Sequence, residues 1–169
     1  LNKRALLVFV LCAYFSNGLS QAEHKILPAE KIIKLIPDKV KEYHQSTDPI
    51  SKVIKFGSIQ YSMAEKNFAA SQKRSIKILL FDYKEAPIMY KQATRKFSNF
   101  SPIESDSVIL RALTMTDCTG WESYNVQRKN SQILIGICDR FFLTVEGTGV
   151  DLDTLKELVQ EFKFETFPK

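Results

Sequence analysis

Nine residues constrain this chain more than any others. Ser75 to Tyr83 (SIKILLFDY) place Ile76, Ile78 and Leu80 on one parity and Leu79, Phe81 and Tyr83 on the other. Successive side chains of a strand point to opposite faces, so a strand apolar on both parities must be covered on both. The segment is expected to be a central strand, with helices or loops on each side of its sheet.

The flanking segments extend that picture. Val53 to Ala70 reads as extended chain, and Ile59, Tyr61 and Met63 share the period-2 parity of a half-buried face. Gln72 to Arg74 is a polar break. Val108 to Met115 is ambiguous: Ser101 and Glu104 have the spacing of a helix capping box, whereas the short Val- and Ile-containing run suits a strand. We read it as a strand, which makes Asp117 to Gly120 a turn. Trp121 to Val126 and Gln132 to Val145 then form a hairpin around Gln127 to Ser131. Its second arm carries Ile133, Ile135, Ile137, Phe141, Leu143 and Val145 on one parity, interrupted by Asp139.

Three helices complete the order. Pro28 to Ile36 is framed by Pro28 and Pro37. Pro87 to Phe100 carries a Met89, Ala93, Phe97, Phe100 stripe. Asp151 is a natural N-cap for a helix with Leu152, Leu155, Val159 and Phe162 on one side, after which Phe164 and Phe167 can fold back onto the core. Consecutive hairpins with helices between them predict an α+β fold, a largely antiparallel β-sheet with helices packed on both faces.

The N-terminus reads as an address. Lys3 and Arg4 precede the apolar run Ala5 to Phe15, and the small residues Ser20 and Ala22 suit cleavage before Glu23. Residues 1–22 are therefore expected to be a signal peptide and 23–169 one domain, periplasmic or secreted. Eleven apolar residues would make a helix of only ~16 Å, too short for a ~30 Å hydrocarbon core. No other stretch approaches a membrane span. Cys12 does not suit a lipid attachment site, because Leu11 stands where a small residue is wanted.

Charge excludes a further class. The 169-residue chain carries 24 Lys and Arg against 19 Asp and Glu, a net charge of +5. Two of those bases lie in the leader, which leaves +3 on the rest, spread along its whole length. A duplex binder clusters its bases on one face, so no nucleic-acid partner is expected.

Catalytic patterns are sparse. His24 and His44 are the only histidines, and no nucleophile motif accompanies them. No set of Cys, His and carboxylates has zinc-site spacing, no calcium loop is present, and Asp151 with Asp153 suits a helix start without a metal. Gly147-Thr148-Gly149 lacks the rest of a dinucleotide or P-loop fingerprint and reads as a turn. No cofactor is expected. Asn99-Phe100-Ser101 is a glycosylation sequon by chance.

Some residues stay open as site candidates. Asp82 with Glu85, Asp117 with Glu122, and Asp139 each lie near apolar strands, where a carboxyl group can become a general acid. Asp139 stands out because it shares the parity of six apolar residues; Arg140, across a bulge, or Arg111 could neutralise it. The alternative is a structural ion pair. Trp121, Tyr124, Tyr61 and Phe142 could form an aromatic ligand surface or simply core. Cys118 and Cys138, twenty residues apart in a chain expected to be exported, suggest a disulfide worth ~3 kcal/mol.

A resemblance adds to this. Leu27-Pro28 with Ile36 to Val40, Ile76 to Tyr83, Gly120 to Tyr124, and Asp139 to Gly147 with its following helix resemble a broad set of uncharacterised bacterial exported proteins. Those look like the PsbP and Mog-type fold, an antiparallel sheet between helices, over residues 26 to 163. The resemblance implies accessory binding roles, since PsbP assists photosystem II and the Mog type binds a small GTPase. It carries over no functional residue, and the cysteine pair is not part of it. The expectation is an exported, non-enzymatic binding or accessory protein for an unknown protein or small-molecule ligand. The alternatives are a hydrolase or lyase using Asp82 and Asp139, and a redox module using Cys118 and Cys138.

Overall fold

The computed structural model describes residues 25–98, 101–115 and 118–169. The expected leader, His24, Asn99-Phe100 and Asp117 lie outside them. Among the described residues nine strands form one antiparallel sheet: β1 (His44–Gln45), β2 (Ile50–Phe56), β3 (Ile59–Ser71), β4 (Arg74–Asp82), β5 (Ile103–Glu104), β6 (Val108–Met115), β7 (Cys118–Asn125), β8 (Asn130–Ile137) and β9 (Phe141–Thr148). The order is β1-β3-β4-β9-β8-β7-β6-β5, with β2 also paired to β3. The α+β character holds, and Val108 to Met115 is the strand its apolar run suggests.

β4 lies between β3 and β9, as its two apolar parities require. Its Ile76, Ile78 and Leu80 join Phe68, Ile135 and Leu143 in the main core. Helix α1 (Ala29–Ile32), extended by a 3-10 turn to Leu35, seals that core together with α3 (Leu152–Gln160). Asp151 caps α3 by accepting the Thr154 N–H at 2.7 Å. Phe167 folds back edge-on to Phe141, with ring centroids 5.1 Å apart. Helix α2 (Pro87–Thr94) lies on the opposite face. A Cβ at Gly136 would stand 2.6 Å from the Tyr90 hydroxyl and 3.0 Å from Thr94 Cγ2, so only glycine lets α2 sit this close to β8. Beside α2, Phe97, Phe142, Phe81, Tyr61 and Tyr83 form a chain of ring contacts.

Two expectations about faces are corrected. On β3 the fully buried parity is Ser62, Ala64, Lys66 and Phe68, not Ile59, Tyr61 and Met63. Small residues admit α1 against the strand, and Lys66 reaches the end of the α1 segment. There its ammonium donates to the Ile36 carbonyl (2.7 Å) and to Asp38 (2.7 Å). The larger residues of the other parity serve the less covered face. The arm from Gln132 to Val145 is also not one strand: it breaks at residues 138–140 into β8 and β9.

Candidate functional site

That break organises one end of the sheet. Ile137 pairs with Phe141, so Cys138, Asp139 and Arg140 form a three-residue loop. Cys138 and Asp139 both take left-handed backbone, with φ of 52° and 50°. Ordinary residues rarely occupy that region, and such positions recur at binding and catalytic sites.

Arg140 turns inward and pairs with Asp82. Its Nε donates to Oδ1 at 2.8 Å and its Nη2 to Oδ2 at 2.6 Å. Asp82 is fully buried and also accepts the Leu27 N–H (2.7 Å) and the Lys84 N–H (3.0 Å). These four donors fill the acceptor sites of a carboxylate. Arg140 also donates from Nη1 to the Lys169 carbonyl (3.3 Å) and from Nη2 to the Lys25 carbonyl (3.1 Å). The pair therefore fastens both ends of the described chain to the loop. Neither Arg140 nor Arg111 is thus the partner of Asp139; Arg111 pairs instead with Glu104 and with buried Glu122, which Lys156 also approaches at 3.2 Å.

Asp139 is exposed in the loop between β8 and β9 and is not a carboxylate on an apolar strand face, which corrects the placement expected for it. Glu85 is exposed as well and is not coupled to Asp82. Cys118 and Cys138 are thiols rather than a disulfide. The strand register explains this: Cys118 stands opposite Ile137, and the chain turns left-handed at the next residue. Cys118 is buried and Cys138 exposed.

The loop separates two concavities. One, of about 760 Å³, lies between the loop and the C-terminal segment, with walls from Met115, Ile137, Phe164 and Phe167. Cys138, Asp139, Glu165 and Lys169 supply its polar groups. The other, of about 370 Å³, lies on the α2 side and adds Tyr90 and Thr119. Met115, Cys118, Cys138 and Asp139 border both. Burial pushes the Tyr90 phenol up to about 12, and the nearby Asp139 carboxylate and the two thiols add to the rise. The phenol is thus neutral and able to donate across the physiological range.

The sequence candidates therefore divide. Cys118, Cys138 and Asp139 meet at the cleft, while Asp82 and Arg140 hold the loop from behind. Trp121 and Tyr124 do not combine: Trp121 is buried, and Tyr124, of opposite parity on β7, borders a separate polar hollow of about 380 Å³ near the far end of the strand. Tyr61 and Phe142 both join the ring chain through Phe81, away from Tyr124. Tyr90, Met115, Phe164 and Phe167 were not expected at a site. Their only sequence signal is apolar character, which the core shares. Among the described residues no group of three or more Cys, His, Asp or Glu is arranged to hold a metal ion, and no helix is long and apolar enough to cross a membrane.

Searches of known protein families, curated proteins and solved structures give no match to this chain.

Proposed function

We propose that this chain is an exported, non-enzymatic binding or accessory protein that holds a small, largely apolar ligand in the cleft beside the 138–140 loop. One observation carries the reading: a concavity of about 760 Å³ with Met115, Ile137, Phe164 and Phe167 for walls and a few polar groups at its border. Small-molecule sites are mostly apolar hollows of ~300–1,000 Å³ with a few placed polar groups. The finer fold reading, a PsbP-like sandwich, belongs to the same proposal and is supported by helices on both faces of an antiparallel sheet. Asp82 favours binding over the carboxylate hydrolase or lyase. A catalytic carboxylate needs a free oxygen facing substrate, and both oxygens of Asp82 are sealed under Arg140.

Titration with 1-N-phenylnaphthylamine, an apolar fluorophore, tests the reading. Saturable enhancement is expected, lost in Met115→Arg, which sets a charged side chain in the cleft, and kept in Phe56→Ser, which does not line it. No saturable signal, or a signal that survives Met115→Arg, contradicts the assignment.

A further inference from the structure

The β2–β3 hairpin has a feature that the cleft does not use. Ser62 pairs with Asp82, the last residue of β4, so Ile59, Gln60 and Tyr61 have no partner on that side. The hairpin overhangs its neighbour by three residues, ~10 Å at ~3.3 Å per residue. Its tip is a two-residue loop, Gly57-Ser58, with Gly57 at φ 60°, the left-handed first position that glycine fills in tight hairpins. Phe56 and Ile59 flank this loop, and Phe56 is 83% exposed.

An apolar side chain that exposed on a projecting tip gains nothing from the fold of its own chain. Further along β2, Ile50 is exposed on the face of Phe56 and Val53 on the opposite face. Towards the tip the charges have one sign, the acid of β3, Glu65, standing opposite Ile50 at the far end of β2 and within 3.5 Å of Lys77. Lys52 and Lys55 are exposed on β2, and residues 49–64 contain no acid. Among the described residues neither lysine has a carboxylate within ion-pair distance. Asp48 lies beyond the opposite end of β2, and Asp82 is sealed under Arg140.

We infer that the β2–β3 hairpin is a membrane-docking finger, with Phe56 and Ile59 entering the acyl boundary of an anionic bilayer while Lys52 and Lys55 meet its headgroups. Apolar tip and basic flank are what such a surface selects, because apolar burial and headgroup attraction add. Lysines on an edge strand also oppose pairing with a second copy. The finger and the cleft lie at the same end of the sheet, since β3 begins where β4 and β8 end and β9 begins. Docking would bring the cleft towards the lipid surface, but the inference does not depend on the cleft's ligand.

The test uses the full chain carrying Phe56→Trp, with Trp121 as a buried internal background. It is mixed with vesicles of phosphatidylcholine alone, or of equal parts phosphatidylcholine and phosphatidylglycerol, with brominated acyl chains in either case. The expected result is a blue shift of the new indole and its quenching by bromine in the anionic vesicles, reversed by high salt. Adding Lys52→Glu and Lys55→Glu should weaken this at least about tenfold, since each basic residue near such a surface contributes ~5-fold. All three positions are exposed, so circular dichroism should be unchanged. Absence of quenching in anionic vesicles overturns the inference, as does quenching indifferent to the two lysines. A blue shift that grows with protein concentration in the absence of lipid overturns it in favour of a second copy.

Discussion

The Asp82–Arg140 pair shows what a single contact decides here. Two residues 58 positions apart place the 138–140 loop and tie down Lys25 and Lys169. A well-bonded buried pair is worth little against a well-packed apolar replacement, but removing one partner leaves a buried charge unpaired. Asp82→Ala or Arg140→Leu is therefore expected to lower stability by about 3–5 kcal/mol, and the paired Asp82→Leu with Arg140→Leu by clearly less than the sum. Urea unfolding of the two singles and the double checks this. Additive losses would mean that the residues do not act together. Neither partner announces the other in the sequence. Asp82 reads as an acid beside an apolar strand and Arg140 as a neighbour of Asp139; only the β4–β9 register joins them.

At the scale of elements, legibility follows agreement between local signals. α3 is plain because a capping aspartate, a 3.6-residue stripe and a glycine break coincide, and Leu155 and Val159 are indeed buried. β4 is plain because both its parities are apolar. β3 misleads because its buried parity holds Ser62 and Lys66, and a lysine is read as solvent-facing until the carbonyls it meets are known. The β8–β9 turn misleads for a geometric reason. A three-residue loop separates Ile137 from Phe141 by four positions, so the period-2 pattern continues through the break as if the strand did. The α3 cap gives a prediction at this scale. The Thr154 backbone N–H, with its side chain, holds the Asp151 carboxyl below its ordinary value. The folded pKa is thus depressed, so the cap's charge-dependent stabilisation is present above the unfolded pKa of ~3.9 and lost as pH falls through the folded value. Asp151→Ala should cost about 1 kcal/mol at neutral pH, with the gap from the parent narrowing below ~4. Urea midpoints across that range would show it. A gap that stays constant would mean that the carboxylate charge is not what caps the helix.

The whole molecule is a sheet with unequal faces. One face is sealed by α1 and α3 over a core that includes Ile78, Leu80, Ile135 and Leu143. The other carries α2 over β8 and β9 and leaves the β2–β3 end with its apolar side chains in solvent. The cleft arises where the sealed face runs out, between the 138–140 loop and the C-terminal segment. Its walls come from β6, β8 and the residues after α3, and no local pattern could assemble them before the strand order was known. We propose that a small apolar ligand occupies this cleft. The most direct measurement is native mass spectrometry of the protein purified from its own host, beside Met115→Arg from the same source. The account predicts a discrete adduct on the parent chain at one per protein, absent from Met115→Arg. A bare mass for both, or an adduct retained by Met115→Arg, would contradict it.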